Sequence, residues 1–193
     1  MYTRLSLTPF VLAIACLLSL TAHADPEKAT ARLHQWLDDR YEEELQRSPI
    51  ALTKLGRKDQ YDQVDDYSRG AIEGYLLWMA QSGEKLAREF DYEALTPDGK
   101  VSYDFWMFRV KSNAAYAPYI DHDYVMTPWT EAHTEPVQFM VNMHAVDSEA
   151  DMEAYAARIR GWGRALGQLM DQVEFAAAKG IRPPRFSYEI VIE

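Results

Sequence analysis

The side chains best suited to chemistry are the imidazoles and carboxylates of one loop. Asp121, His122 and Asp123 are consecutive, and His133 lies two residues before Glu135. Imidazole next to carboxylate can hold zinc or act as an oriented general base. The spacing matches no known site, and no histidine is followed by glutamate as in the His-Glu-x-x-His zinc helix. A purely structural role for these histidines stays open beside the chemical one.

The same loop is rich in aromatic residues. They could line a groove for a peptide or another apolar ligand, or they could fasten the loop onto the helices. The candidate cleft-lining residues are His122, Tyr124, Trp129, His133 and Glu135. The chain contains no Gly-x-Ser-x-Gly elbow and no phosphate-binding glycine loop, so we assign no catalytic residue and no metal ligand.

Two acidic stretches have a simpler interpretation. Asp59, Asp62, Asp65 and Asp66 recur in a polar segment that lacks the glycine and the distal glutamate of a calcium loop. The acidic run at residues 38–44 is interrupted by core-type residues, which is typical of an exposed helix face. We expect both stretches to be solvated.

The first 24 residues predict an export signal. Arg4 precedes an apolar stretch at residues 5–20, and residues 22–24 form a small-x-small cleavage pattern. The apolar stretch is too short for a comfortable transmembrane helix. We therefore expect a signal peptide at residues 1–24 and a mature part at residues 25–193.

Export agrees with the rest of the composition. The only cysteine, Cys16, lies within the leader, so the mature part has no thiol for a disulfide or a thiolate metal site. Acylation of Cys16 in a lipoprotein is the competing interpretation. The chain carries 30 acidic against 20 basic residues, which argues against nucleic acid or anionic membrane as a partner. We expect a periplasmic or extracellular protein without stable membrane insertion after cleavage.

Helical periodicity and capping residues dominate the mature part. The predicted helices cover residues 25–46, 48–55, 68–90, 96–117 and 136–144, a further one runs to Lys179 from a cap at Asp147 or Ser148, and a last one follows Pro183 and Pro184. Gly180 is expected to end the longest of them as a C′ residue. The sequence therefore predicts an all-α bundle of long antiparallel helices with one long aromatic-rich loop at residues 118–136.

Two of these helices carry specific expectations. The helix at residues 96–117 has Val101, Phe105 and Phe108 on one face and further apolar residues on another, so we expect it to be buried between neighbours. The helix at residues 148–179 has an apolar stripe along most of its length. The members of this stripe are Met152, Tyr155, Ala156, Ile159, Trp162, Gly163, Leu166, Leu169, Met170 and Val173.

A series of short motifs resembles one bacterial family. The motifs are Ser48 to Gly56, Tyr61-Asp62 with Asp65-Asp66, Leu95-Thr96-Pro97-Asp98 with Tyr103-Asp104, Asp151-Met152 through Tyr155 to Arg158-Ile159, and Gly180-Ile181-Arg182-Pro183-Pro184. Their order along most of the mature chain is similar to that in the bacterial domain of unknown function 885.

The resemblance implies an exported, helical protein of the zinc metallopeptidase kind, much longer than this chain. In such proteins a His-Glu pair, a following Pro-Gly-His and a later glutamate form the zinc site. Neither the His-Glu pair nor Pro-Gly-His occurs in this sequence, so no zinc ligand is transferred to it. Zinc is expected only in a full-length family member, and this chain is expected to have no cofactor.

The final residues suggest that more of the domain exists elsewhere. Ile190, Val191 and Ile192 stand at the end of the chain with no later element to cover them. We therefore expect residues 25–193 to be the truncated N-terminal part of a larger domain, inert alone, whose partner is the missing C-terminal half or a peptide. The alternative is a complete, non-enzymatic periplasmic helical module that binds a peptide or a partner protein.

Overall fold

Seven α-helices make up most of the described chain. The computed structural model describes residues 25–128 and 130–192, so the predicted signal peptide and Trp129 lie outside the described residues. The helices are α1 (Pro26–Leu45), α2 (Pro49–Lys54), α3 (Arg69–Glu89), α4 (Pro97–Tyr116), α5 (Glu135–Asn142), α6 (Glu149–Ala178) and α7 (Arg185–Ile192). The all-α prediction is confirmed. No helix within these ranges has the length and the apolar character that crossing a membrane requires.

Side-chain caps explain where the helices begin. The side chains of Asp25, Ser48, Ser68, Thr96 and Ser148 each accept a hydrogen bond from a backbone N–H in the first turn of the following helix. These bonds satisfy donors that have no partner within the helix. The predicted helix starts at these caps are confirmed. The end of α6 is confirmed too, because Gly180 follows the C-cap residue Lys179 and adopts a φ of 81°.

The predicted loop at residues 118–136 contains more regular structure than expected. A 3₁₀ turn covers Ala117–His122, and two short antiparallel strands, β1 (Met126–Thr127) and β2 (Thr130–Glu131), form a small hairpin. The 3₁₀ turn is fastened by Asp121, whose carboxylate binds Arg69 on α3 and Lys179 after α6. A loop held at this point by two cations can order the short hairpin that follows.

The first of two hydrophobic cores lies between α1, α3 and α4. Its buried residues are Leu33, Met79, Leu86, Phe90, Leu95 and Trp106. The indole Nε1 of Trp106 donates to Ser82 Oγ at 3.0 Å, and Ser82 Oγ donates to the Met79 carbonyl at 2.7 Å. A Cβ on Gly83 would stand 2.8 Å from a methyl carbon of Val110, so glycine at this position lets α3 and α4 approach closely.

One apolar face of α4 is exposed, so the prediction that neighbours cover both faces is wrong for the described chain. Val101, Phe105 and Phe108 are 68%, 63% and 65% exposed. Helices α1 and α3 are the helices that α4 contacts extensively, and they leave this face open to solvent. The opposite face carries Trp106 into the core. These three side chains are called the α4 stripe below.

The buried face of α6 differs from the predicted one. The prediction is confirmed for Trp162 and Leu169, but Met152, Ile159 and Met170 are exposed. The buried residues of α6 are Asp151, Arg158, Trp162, Ala165, Leu169 and Ala176. These positions still follow a helical period, but the stripe is rotated because it includes two charged side chains that find partners inside the protein.

The second core joins α2, α5 and α6 to the segment at residues 57–66. Its buried residues are Ile50, Val64, Phe139, Met140, Trp162 and Ala165. Within this segment the prediction of a solvated surface is wrong for Asp65. Its carboxylate accepts from Ser48 Oγ at 2.6 Å and from the Ile50 N–H at 2.9 Å. Burial raises the pKa of Asp65, and the hydrogen bonds from Ser48 and Ile50 oppose that rise.

Candidate functional site

The four candidate cleft residues that the structure describes do not form one polar centre. His122 is exposed, with its ring edge-on to Tyr119 at 5.6 Å. His133 is exposed in the turn before α5, and Glu135 in the first turn of α5 lies 3.2 Å from Lys54 Nζ. Within residues 25–128 and 130–192, no three His, Cys, Asp or Glu side chains are grouped closely enough to hold a metal ion. Trp129 lies outside the described residues.

Tyr124, the fifth candidate, lines an apolar pocket of about 250 Å³. The pocket lies where the segment at residues 123–126 meets the end of α6 and the beginning of α7. Its apolar wall is formed by Val125, Met126, Met170, Val173, Ala176, Ala177, Ile181, Pro183 and Val191. Asp123, Arg182, Ser187 and Tyr188 also line it. This pocket is called the α6–α7 pocket below.

Ser187 is the unusual residue of the α6–α7 pocket. It is 1% exposed, and its hydroxyl oxygen has no hydrogen-bond partner in the described part of the chain. A buried polar group without a partner costs about 1–3 kcal/mol, so such groups are uncommon in folded proteins. The sequence did not single out Ser187, because a serine in a short amphipathic helix carries no signal of its own.

The polar residues next to the pocket are engaged in structural contacts. The hydrogen bonds from Arg69 and Lys179 lower the pKa of Asp121. Asp123 accepts a hydrogen bond from the Tyr116 hydroxyl, and burial together with this bond raises the pKa of Tyr116 to about 12. The Asp-His-Asp sequence therefore places its two carboxylates in contacts that fix the loop against α3, α4 and the end of α6.

A second polar centre, which the sequence did not indicate, surrounds Arg158 on α6. Arg158 is fully buried. Its guanidinium donates to the Gln63 carbonyl at 2.9 Å, to Thr53 Oγ1 at 2.6 Å and to the Pro49 carbonyl at 3.3 Å. The fourth acceptor is Nδ1 of His144, at 2.9 Å. These contacts are called the Arg158 centre below.

Aromatic rings and hydrogen bonds replace the carboxylate that a buried guanidinium usually has. The guanidinium carbon lies 4.7 Å from the centroid of Tyr61 and 5.1 Å from that of Phe139. Both distances are within the range of cation–π attraction. Burial lowers the pKa of Arg158. The centre joins α2, the segment at residues 57–66 and α5 to α6, so its first effect is on the packing of the second core.

Comparison with protein families identifies the chain. Residues 49–193 match the family described as bacterial protein of unknown function, DUF885. The chain belongs to the DUF885 family. No curated protein and no solved structure shows significant similarity to it. Within this DUF885 chain the match includes both the Arg158 centre and the α6–α7 pocket.

The zinc ion that the DUF885 resemblance implies does not fit the described residues. Both ring nitrogens of the buried His144 are engaged: Nδ1 accepts from Arg158, and Nε2 lies 3.1 Å from the Asp151 carbonyl. His34 Nε2 contacts Ser102 Oγ at 3.2 Å. The remaining described histidines, His122 and His133, do not share a metal-type cluster with other ligands. We therefore derive no zinc-dependent step from these side chains.

The hydrogen bond from Arg158 favours the neutral form of His144. Because Arg158 donates to Nδ1, the ring proton is on Nε2, where it is donated to Asp151. The Tyr61 ring stacks on His144 at 4.1 Å. Burial lowers the pKa of His144, and the charge of Arg158 lowers it further, while the backbone hydrogen bond with Asp151 opposes the change.

This arrangement predicts an acid-sensitive fold. A histidine with a lowered pKa in the folded state stabilises the fold fully above its unfolded pKa of about 6.5. That contribution is lost as the pH falls below this value towards the folded pKa. One proton gives a slope of at most about 1.4 kcal/mol per pH unit. His144→Gln should therefore flatten the dependence of unfolding free energy on pH below about 6.5, measured by urea denaturation.

The matched control is His34→Gln, because His34 lies on α1 and bonds only with Ser102 in the described chain. The unfolding free energy of His34→Gln should depend on pH as steeply as that of the unsubstituted protein. If the unfolding free energies of the His144→Gln and unsubstituted proteins depended equally on pH, protonation of His144 would not be the cause of the acid sensitivity. Asp151 is distinguishable, because hydrogen bonds from Lys58 and Ser148 lower its pKa to about 2 and its effect lies at more acidic pH.

Proposed function

We propose that residues 25–193 are the N-terminal helical part of an exported, zinc-dependent metallopeptidase-like protein, and that this part is inert by itself. Membership of the DUF885 family supports the proposal. In this view the chain supplies one wall of a cleft, and the zinc ligands belong to a further segment of the protein. The described helices provide the rigid scaffold for that wall.

The α4 stripe is the observation that carries this proposal. Val101, Phe105 and Phe108 follow the helical period and are all more than half exposed. Contiguous exposed apolar side chains mark surfaces that bind another protein segment. The first core is complete without them, so they are not required for packing within the described chain. A C-terminal half of the same protein is the partner that we propose for this stripe.

The inert part of the proposal is tested with purified residues 25–193. We expect no stoichiometric zinc after dialysis, measured by plasma mass spectrometry, and no hydrolysis of a mixed peptide library with added zinc. Tight zinc binding at one ion per chain would contradict the proposal. The claim that the zinc ligands belong to a further segment is tested by sequencing the gene beyond codon 193. Absence of His-Glu followed by Pro-Gly-His in every nearby reading frame would contradict this claim.

The role of the α4 stripe is tested by surface substitution. Phe105→Lys combined with Phe108→Glu should reduce self-association in sedimentation velocity and change the free energy of unfolding by less than about 0.5 kcal/mol. The control is Lys111→Glu with Ser112→Lys, two exposed positions on the same helix. Equal self-association of both double variants would show that the stripe is not an adhesive surface.

Export is the second part of the proposal. The leader composition supports secretion to the periplasm or the extracellular space. Mass spectrometry of the protein recovered from a secreting host should give an N-terminus at Asp25. A lipid-modified Cys16 would instead support membrane anchoring, and an intact Met1 in the cytoplasmic fraction would contradict export.

A second candidate function is favoured by the α6–α7 pocket. A complete, non-enzymatic periplasmic helical module could use this apolar pocket, beside Tyr124, to bind a peptide or a partner protein. A monomer that melts cooperatively and binds a peptide would favour this candidate. Aggregation that the α4 stripe variant relieves would favour the metallopeptidase-like scaffold instead.

A further inference from the structure

We propose that the α6–α7 pocket binds a small amphiphilic monocarboxylate, whose apolar body fills the pocket while its carboxylate binds Ser187 and Arg182. The inference goes beyond the metallopeptidase-like proposal and does not depend on zinc. It uses residues of this chain alone.

The buried hydroxyl is the first observation that points to a ligand. Ser187 is 1% exposed, and its Oγ has no partner among the described residues although it lines the pocket. A serine in a helix often satisfies its hydroxyl by bonding to the carbonyl one turn earlier. Ser187 does not form that bond, so its O–H lacks an acceptor within the described residues, and a ligand oxygen that reached it would supply one.

The size and character of the pocket limit the ligand. Its volume of about 250 Å³ exceeds the cavity of about 150 Å³ that holds benzene, and lies just below the usual range for drug-sized ligands. Aliphatic side chains of α6, α7 and β1 make up most of its wall. A single aromatic ring with a short chain, or a medium-length alkyl chain, therefore suits it.

The positive charge of Arg182 at the rim of the pocket favours a ligand with a negatively charged end group. Arg182 is exposed and forms no ion pair with any residue in the described ranges, whereas Arg185 lies 3.8 Å from Glu189. The other charged lining residue, Asp123, already accepts a hydrogen bond from Tyr116. Guanidinium groups bind carboxylates through parallel hydrogen bonds. A carboxylate can thus accept from Arg182 and from Ser187, which line the same small pocket.

The net negative charge of the protein disfavours binding of an anion anywhere except near a local cation such as Arg182. The protein has a formal net charge of −10, so an organic anion is repelled by the surface as a whole. Binding of a monocarboxylate therefore requires a local cation, and it should weaken as salt screens that cation. An uncharged analogue of the same shape lacks this attraction.

The test is a titration of the purified ¹⁵N-labelled protein with 3-phenylpropionate, followed by amide chemical shifts. We expect saturable shifts confined to residues of the α6–α7 pocket, and weaker binding of the uncharged 3-phenylpropan-1-ol. Ser187→Ala and Arg182→Gln should each raise the Kd for 3-phenylpropionate about tenfold, as expected for the loss of one hydrogen bond to a charged group. Ala177→Leu, which fills the pocket, should abolish binding.

Matched controls keep the result specific. Ser112→Ala removes an exposed hydroxyl from α4, and Arg185→Gln removes an arginine that does not line the pocket. Both should leave the Kd unchanged. Absence of saturable shifts at millimolar ligand, equal Kd values for Arg182→Gln and Arg185→Gln, or equal binding of the alcohol and the carboxylate would each overturn the proposal. Cooperative melting transitions verify that the variants are folded, and the zinc and hydrolysis measurements are independent of this result.

Discussion

Arg158→Ala should lower the free energy of unfolding by about 3–5 kcal/mol. Arg158 is fully buried and makes four hydrogen bonds within the Arg158 centre. Truncation would leave the Gln63 carbonyl, the Thr53 hydroxyl and His144 Nδ1 without their donor, and the bonds to Thr53 and His144 are buried. It would also open a cavity beneath the rings of Tyr61 and Phe139.

Two further substitutions separate hydrogen bonding from charge. Arg158→Lys keeps the charge, but a single ammonium cannot reach acceptors on α2, at His144 and in the segment at residues 57–66 together, so we expect the free energy of unfolding to fall by about 2 kcal/mol or more. Arg160→Ala, two residues away on the exposed face of α6, should change stability by less than about 0.5 kcal/mol. Urea denaturation at pH 7.5 measures all three, and equal stabilities of the two alanine variants would contradict the role assigned to Arg158.

Trp106→Ala should also lower the free energy of unfolding by about 3–5 kcal/mol, but for a different reason. Trp106 is 4% exposed and lies between α1 and α3 in the first core. Its ring contacts Trp36 edge-on at 5.8 Å and Trp78 at 6.2 Å. Removing the indole therefore leaves a large cavity, and it also removes the donor to Ser82 Oγ.

The close approach of α3 and α4 at Gly83 limits how far this cavity can collapse. Trp106→Phe should lower the free energy of unfolding less, because the phenyl ring retains part of the ring contacts although the hydrogen bond with Ser82 is lost. Phe108→Ala, which truncates an aromatic residue on the exposed side of the same helix, should be nearly neutral. A thermal melt followed by near-ultraviolet circular dichroism measures each variant, and a loss for Phe108→Ala as large as that for Trp106→Ala would refute the assignment of faces.

The sequence predicted the helices because their signals are local. Caps such as Ser48 and Thr96 and the C′ residue Gly180 act within one turn, and they are read directly from neighbouring residues. The exposure of the α4 stripe could not be predicted, because periodicity shows that a face is apolar but not whether another helix covers it. The buried face of α6 was misplaced for a related reason. Arg158 and Asp151 appear polar in isolation, and their burial depends on acceptors and donors far away in the chain.

The candidate site depended even more on distant contacts. Tyr124 was selected as an aromatic residue in a loop, and the structure places it at an apolar pocket. That pocket exists only because residues 123–126 meet α6 and α7, which follow much later in the chain. Ser187 and Arg182 became candidate binding residues only in the folded protein. Ser187 is buried without a hydrogen-bond partner among the described residues, and Arg182 lies at the rim of the pocket. Neither property is present in the order of the residues.

The place of α1 in the first core shows that the region of family similarity and the folding unit have different boundaries. The DUF885 match begins at residue 49, after α1 has ended. Leu33 of α1 is nevertheless fully buried against residues of α3 and α4. A shortened chain that starts where family similarity starts would uncover Met79, Leu86 and Trp106 in one step. The cooperative folding unit therefore includes α1, and truncation, domain grafting or fusion should keep this helix rather than start at the edge of the sequence match.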